Sequence, residues 1–165
     1  MNWNIFKKGS ILYTGIRKVM RILFVCTGNS CRSPMAELYF NSEVQKRNIS
    51  NLEALSAGVA AFSGDTISVN AASVMAENAI VSDGFRSRRF TPFLADECDL
   101  IVCMGESHRR AVLAEYPECK DKICLLMDLI SGGDVPDPFG GDVDRYRKVF
   151  AEMRPALDAL IERVS

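Results

Sequence analysis

The sequence predicts an α/β fold, a parallel sheet covered by helices on both faces. Three observations predict it. Short apolar runs alternate with longer stretches of helical period along most of the chain, the pattern of strand–helix–strand units. Length and composition, 165 residues with 48% hydrophobic and 25% charged, match one globular domain with a sizeable core. No internal repeat or low-complexity tract interrupts the pattern. In such sheets the functional site lies at the carboxyl ends of the strands.

Residues 1–19 hold Lys7, Lys8, Arg17 and Lys18 and no acidic group. Their longest apolar run, Ile11-Leu12-Tyr13, is far short of a signal-peptide core or a membrane span. They read as an appended, poorly ordered basic arm before a domain of residues 20–165. Residues 21–26 form the first apolar strand. A helix is expected over 33–46, with Ser33 as its N-cap and Pro34 pre-set for its first position. Residues 52–56 read as a second strand, and a helix over 66–77 follows Gly64-Asp65. Residues 100–103 and 122–126 read as further strands, separated by a helix over 106–115. The last helix starts near Asp142, with Val143, Tyr146, Phe150, Met153, Leu157, Leu160 and Val164 at helical spacing, a core stripe. Pro155 removes one backbone bond and should bend it.

The chemistry concentrates in Val25-Cys26-Thr27-Gly28-Asn29-Ser30-Cys31-Arg32-Ser33-Pro34. Five residues between Cys26 and Arg32 suffice for one tight loop whose N–H groups turn inward as a nest for an oxyanion. Gly28 and Asn29 tolerate the left-handed φ such a loop demands. The following helix N-terminus favours negative charge, which promotes the reactive thiolate of Cys26. Arg32 can hold phosphate oxygens bidentately, which lysine cannot. A second stretch, Cys103-Met104-Gly105-Glu106-Ser107-His108-Arg109, has the same spacing after a strand-like run. There Glu106 would put a carboxylate where phosphate should sit, and no Ser-Pro helix start follows, so Cys26 is the better nucleophile.

Removing a phosphoryl group from a side chain needs a general acid for the departing atom. The candidate is Asp137, in Gly132-Gly133-Asp134-Val135-Pro136-Asp137-Pro138-Phe139-Gly140-Gly141, where two prolines fix the direction of the backbone around it. Phe139 is placed to desolvate this carboxyl and to wall a substrate slot. The bland alternative is a surface turn built of Pro, Gly and Asp.

The loop from Val25 to Pro34, the triplet Ser56-Ala57-Gly58 and Asp137-Pro138-Phe139 resemble the low-molecular-weight protein tyrosine phosphatase family over about residues 20–163. The resemblance implies a single three-layer domain with a four-stranded parallel sheet and a phosphate-binding loop after the first strand. It also implies a cytoplasmic hydrolase acting on phosphotyrosine proteins without cofactor or metal, with Cys26, Arg32 and Asp137 catalytic. Cys26 would form a phosphocysteine, Asp137 would protonate the leaving group, and water would then release phosphate. Thr27, Gly28, Asn29, Ser30, Cys31, Ser33 and Phe139 would contact substrate, Ser33 would stabilise the thiolate, and Asn29, Ser56 and His108 would support the loop by hydrogen bonds. The chain departs from the family pattern at Gly105, where Thr is frequent, and at Gly84-Phe85, where His commonly precedes Arg-Ser-Arg.

Substrate choice stays open between two phosphorylated side chains. Phosphotyrosine-preferring relatives carry two adjacent aromatics after Asp-Pro and an aliphatic residue before the second loop cysteine; here those places hold Phe139-Gly140 and Ser30. Related arginine phosphatases resemble this chain in Thr-Gly-Asn, in Asp-Pro-Phe-Gly-Gly and in a hydroxyl residue at the place of Ser30, which could accept a guanidinium N–H. Two readings from other classes are an arsenate reductase-like thiol redox enzyme, which needs a relay of further cysteines, and a catalytically dead phosphate-binding module.

A net charge of −1 gives no reason to invoke nucleic acid, and Arg86, Arg88 and Arg89 read as a solvated basic face. No stable membrane association is expected; Trp3, Phe6 and Ile11 leave weak surface contact as a minor alternative. His108 is the single histidine, and the cysteines lack the C-x2-C spacing of zinc modules, so no metal site is expected. Reduced cytoplasmic thiols are the default. Cys31 either forms a protective disulfide with Cys26 or packs under the loop.

Overall fold

The computed structural model describes residues 19–165. Apart from Val19, the arm anticipated over residues 1–19 lies outside the described residues. Four strands, β1 (Met20–Cys26), β2 (Leu52–Gly58), β3 (Leu100–Cys103) and β4 (Ile123–Leu125), pair in parallel in the order β2-β1-β3-β4. Among the described residues five α-helices accompany them: α1 (Arg32–Lys46), α2 (Val69–Glu77), α3 (Pro92–Asp96), α4 (Glu106–Glu115) and α5 (Val143–Val164).

Side chains on successive strand residues point to opposite faces, so each face of the sheet nucleates its own core. Ile22, Phe24 and Cys26 join Met35, Phe40, Met75, Phe150 and Leu157 from α1, α2 and α5 on one face. Leu23, Val25, Ile101 and Cys103 pack with Ala95 of α3 and Val112 of α4 on the other. This is the three-layer α/β domain with a four-stranded parallel sheet anticipated from the sequence. No helix among the described residues is long and apolar enough to cross a membrane.

Several boundaries differ from the expectation, each for a local reason. Ser33 is not the N-cap of the first helix. Arg32 already opens α1 after Cys31, which makes no side-chain cap, and the Ser33 hydroxyl, inside the helix, bonds Cys26 and Asn29 instead. The second helix starts at Val69 rather than residue 66, since Ser68 caps it by accepting from the Ala71 N–H. The second strand extends to Gly58, paired with Cys26. Helix α3 was not anticipated, although Thr91-Pro92 carries the signal: the Thr91 hydroxyl accepts from Leu94 N–H and proline opens the helix. Helix α5 runs through Pro155 without a break. Tyr146, Phe150, Met153, Leu157 and Leu160 of the predicted stripe are buried, while Val143 and Val164 are only partly so.

Candidate active site

β1 lies between β2 and β3, and its carboxyl end delivers Cys26 directly into the loop that turns to α1 at Arg32. Asn29 makes that turn possible with φ 51°, in the left-handed region. β2 comes so close that its last residue must be glycine. A Cβ on Gly58 would lie 2.5 Å from the Thr27 carbonyl oxygen and 2.8 Å from the Asn29 nitrogen. In its absence Val59 and Ala60 donate backbone N–H bonds to Cys26 and Thr27.

The thiol sits in a graded polar network. Cys26 Sγ is 2.9 Å from Ser33 Oγ. Asn29 Nδ2 donates to that same hydroxyl at 2.9 Å and to Ser56 Oγ at 2.8 Å, and Asn29 Oδ1 accepts from the Arg88 N–H at 2.7 Å. With Asn29 occupying an acceptor position on Ser33, the Ser33 proton is left to point at the sulfur, its competitor being the Ala57 carbonyl at 3.4 Å. Ser56 in turn donates to Glu37, whose carboxylate also pairs with Arg88 at 3.3 Å. Burial pushes the Glu37 carboxyl above its ordinary range, against the lowering effects of Ser56 and Arg88.

Glu37 and Arg88 were not anticipated. Glu37 is buried within α1 and Arg88 is half-buried, so only Arg86 and Arg89 of the basic run belong to an exposed face. The sequence signal for Glu37 was an acidic residue on the apolar side of α1, three positions before the buried Phe40.

His108 Nε2 is 2.9 Å from Thr27 Oγ1, while Nδ1 is buried without a hydrogen-bond partner. Burial first, and the Arg32 charge second, push this imidazole below its ordinary value, with Asp134 and Asp137 opposing. A neutral ring donating from Nε2 to Thr27 fits, because protonating Nδ1 would bury an unpaired N–H.

Arg32 is almost fully buried; its Nη1 donates to the Val135 carbonyl at 3.3 Å, and its Nη2 stands 3.3 Å from Asp137 Oδ2. This draws the loop around Asp137 to the mouth of the thiol loop. A cavity of about 240 Å³ is lined by Cys26, Thr27, Gly28, Ser30, Cys31, Arg32, Asp137 and Phe139. Phe139 does stand at this opening, but it is 78% exposed and leaves the Asp137 side chain 55% exposed, so the anticipated desolvation of that carboxyl is not present. Cys31 points away from solvent, its Sγ 3.2 Å from Tyr146 Oη and 3.5 Å from both Ser30 Oγ and Ser68 Oγ. A larger, more open groove of about 660 Å³ between Ile67 and Asp83 is lined by no cysteine, histidine or arginine.

Cys103, the alternative with the same spacing, is fully buried in the opposite core, and burial pushes its thiol well above the ordinary range. All six cysteines are free thiols. Among the described residues, no group of three or more His, Cys, Asp or Glu side chains gathers as a metal site.

Comparison with known proteins gives a consistent family. Residues 21–165 match the family model described as low molecular weight phosphotyrosine protein phosphatase. The chain is 37% identical over 146 residues to a protein-arginine-phosphatase of Geobacillus stearothermophilus, covering 87% of this chain and 95% of that protein. A low molecular weight protein tyrosine phosphatase from T. tengcongensis superposes with a TM-score of 0.82 at 39% identity, covering 87% of this chain and 98% of its own. The tyrosine phosphatase Wzb from Escherichia coli K30, solved in complex with sulphate, superposes with a TM-score of 0.81 at 28% identity over 89% of this chain and 99% of its own.

Proposed function

We propose a catalytic assignment from the premise that this chain belongs to the low molecular weight phosphotyrosine protein phosphatase family and is a cysteine-dependent phosphatase: Cys26 is the nucleophile, Arg32 the phosphate-binding cation and Asp137 the general acid. The observation that carries the assignment is the cavity in which these three residues meet, with Ser33 Oγ 2.9 Å from the sulfur. The Cys26 thiolate attacks phosphorus, forming the S–P bond as the bond to the leaving atom breaks. Asp137 gives that atom its proton. Water then attacks the phosphocysteine, Asp137 takes the water's proton, and phosphate departs with the thiolate restored. The loop N–H groups from Thr27 to Arg32 and the Arg32 guanidinium receive the charge on the three phosphoryl oxygens, an arrangement consistent with the sulphate complex of Wzb. Asn29, Ser56 and His108 keep the loop in shape through the bonds described above.

The substrate is a phosphorylated protein, and phosphotyrosine is the reading at the level of the family. Phe139 gives an aromatic wall for its ring at the slot. One observation favours phosphoarginine as a second substrate. Ser30 lines the cavity with a hydroxyl able to accept a guanidinium N–H, and Gly140, next to Phe139, supplies no second aromatic wall. The 37% identical Geobacillus relative is an arginine phosphatase, in keeping with that reading. A thiol relay of the arsenate-reductase kind finds no support, because Cys103 faces the opposite core. Six free thiols suit a reducing compartment, and we place the enzyme in the cytoplasm.

The test is hydrolysis of phosphotyrosine and phosphoarginine by the wild type and Ser30→Ile. The substitution should lower kcat/KM for phosphoarginine about tenfold relative to phosphotyrosine, the equivalent of leaving one donor unpaired. Unchanged selectivity removes the role of Ser30. No turnover of either substrate by the wild type removes the assignment.

A further inference from the structure

The loop that carries Asp137 is fastened at a few points. Val135 donates its N–H to the Met104 carbonyl at 2.7 Å and accepts from Arg32, Asp137 meets Arg32, and the Asp137 carbonyl accepts from Arg145 Nη2 at 3.0 Å. One more contact comes from a side chain with no part in the proposed chemistry. Asp134 Oδ1 accepts from the backbone N–H of Glu106 at 2.9 Å, across 28 residues of sequence.

Glu106 is the first residue of α4, and the position before it, where a capping side chain would normally sit, is Gly105 in extended backbone. Gly105 makes no side-chain cap. The first N–H groups of a helix have no intrahelical acceptor; a side chain at 105 would serve that of Ser107 or His108, and the N–H of Glu106 finds its acceptor in Asp134 from elsewhere in the chain. Space confirms that the two positions are alternatives. A Cβ on Gly105 would lie 2.8 Å from Asp134 Cγ and 2.9 and 3.1 Å from its carboxylate oxygens. A side chain at 105 would therefore push the Asp134 carboxylate out of this position. The helix so capped also carries His108, which bonds Thr27 of the phosphate loop. One exposed carboxylate thus joins three parts of the site.

We infer that Asp134 is a positioning residue. It caps α4 from outside, and through that bond it holds the 132–137 loop so that the Asp137 carboxyl stays at the cavity; Gly105 leaves the space that admits it. This rests on the assignment of Asp137 as general acid.

General acid catalysis matters more as the leaving group becomes more basic, which separates loop positioning from mere helix capping. The measurement is kcat/KM on phenyl phosphate, whose leaving group is basic, and on 2,4-dinitrophenyl phosphate, whose leaving group needs little protonation. Asp134→Ala should lose about tenfold on the first and less than about threefold on the second, a share of the full acid contribution. Asp134→Asn keeps an Oδ1 acceptor and should stay within about threefold of wild type on both. The double variant Gly105→Ser with Asp134→Ala returns a local cap to α4, so its Tm should recover while phenyl phosphate turnover stays low.

Equal loss on both substrates in Asp134→Ala, or recovery of phenyl phosphate turnover in the double variant, overturns the inference and leaves only a helix cap. Asp137→Ala serves as the reference. If it does not itself alter the ratio between the two substrates, the acid assignment has failed, and the inference falls with it in a distinguishable way.

Discussion

Arg32 Nη2 stands 3.3 Å from Asp137 Oδ2, so one guanidinium faces the phosphate loop and holds the carboxylate proposed to protonate the leaving group. The same side chain reaches the Val135 carbonyl through Nη1, using both arms of its fork. Arg32→Lys keeps the charge and loses the fork. It should lower kcat/KM on an aryl phosphate by at least about a hundredfold, since donors aimed at the transition-state oxygens carry that much. Steady-state kinetics check it, and a loss below about fivefold would contradict the bidentate role.

Two cysteines share the same spacing to an arginine, and their surroundings separate them. Cys26 opens onto the cavity, whereas Cys103 is fully buried in the opposite core with its thiol pushed up by burial. Cys26→Ser should lose at least about a thousandfold in kcat, because the hydroxyl is a poor nucleophile without an adjacent base. Cys103→Ser should keep activity within about threefold but lower stability by about 1–3 kcal/mol, from a buried hydroxyl with no partner. Kinetics and urea denaturation of the two variants decide it. The reverse pattern would exchange their roles.

Asn29 combines a left-handed backbone with three side-chain hydrogen bonds; alanine adopts that backbone only at a cost, as Ala79 does, and supplies none of the bonds. Asn29→Ala should cost about 2–4 kcal/mol of stability, the strain and the lost bonds together. It should also reduce turnover, because Ser33 loses the partner that orients it. Urea denaturation showing a change below about 1 kcal/mol would mean that the network holds nothing together.

These contrasts explain what could be read from the chain alone. The alternation of strands and helices and the local loop from Cys26 to Arg32 are properties of short segments, and both were legible. Ser33 was misplaced as an N-cap because its residue type fits that role, while its actual partners, Cys26 and Asn29, are fixed by the loop's shape. Arg88 looked like its exposed neighbours Arg86 and Arg89 because its partner Glu37 is 51 residues away. The bond from Glu106 to Asp134 spans 28 residues, and no local pattern announces it. Phe139 was assigned to the slot by its neighbourhood in sequence, but its exposure depends on how the loop projects.

His108 gives a pH dependence with a definite sign. Its folded-state pKa lies below the ordinary 6.5, chiefly through burial, so the unfolded chain binds that proton more readily. The stability it contributes is present above 6.5 and is lost as pH falls toward the folded value. Glu37 works in the opposite direction, since its raised pKa makes stability fall as pH rises above 4.5. Wild type and His108→Gln should therefore differ in slope, with wild type losing stability more steeply on acidification from pH 6.5. Urea midpoints across that range check it; parallel curves would mean that His108 is not held neutral.

The order β2-β1-β3-β4 places the strand ending in Cys26 between two partners and away from either margin. Margins of a sheet loosen first, whereas an interior strand is released only when the whole assembly lets go. The sulfur proposed to attack phosphorus is thus tied to the part of the molecule that melts last. Under increasing denaturant, the sulfur's surroundings should hold until the fold collapses, while the exposed loop of Asp137 lets go sooner.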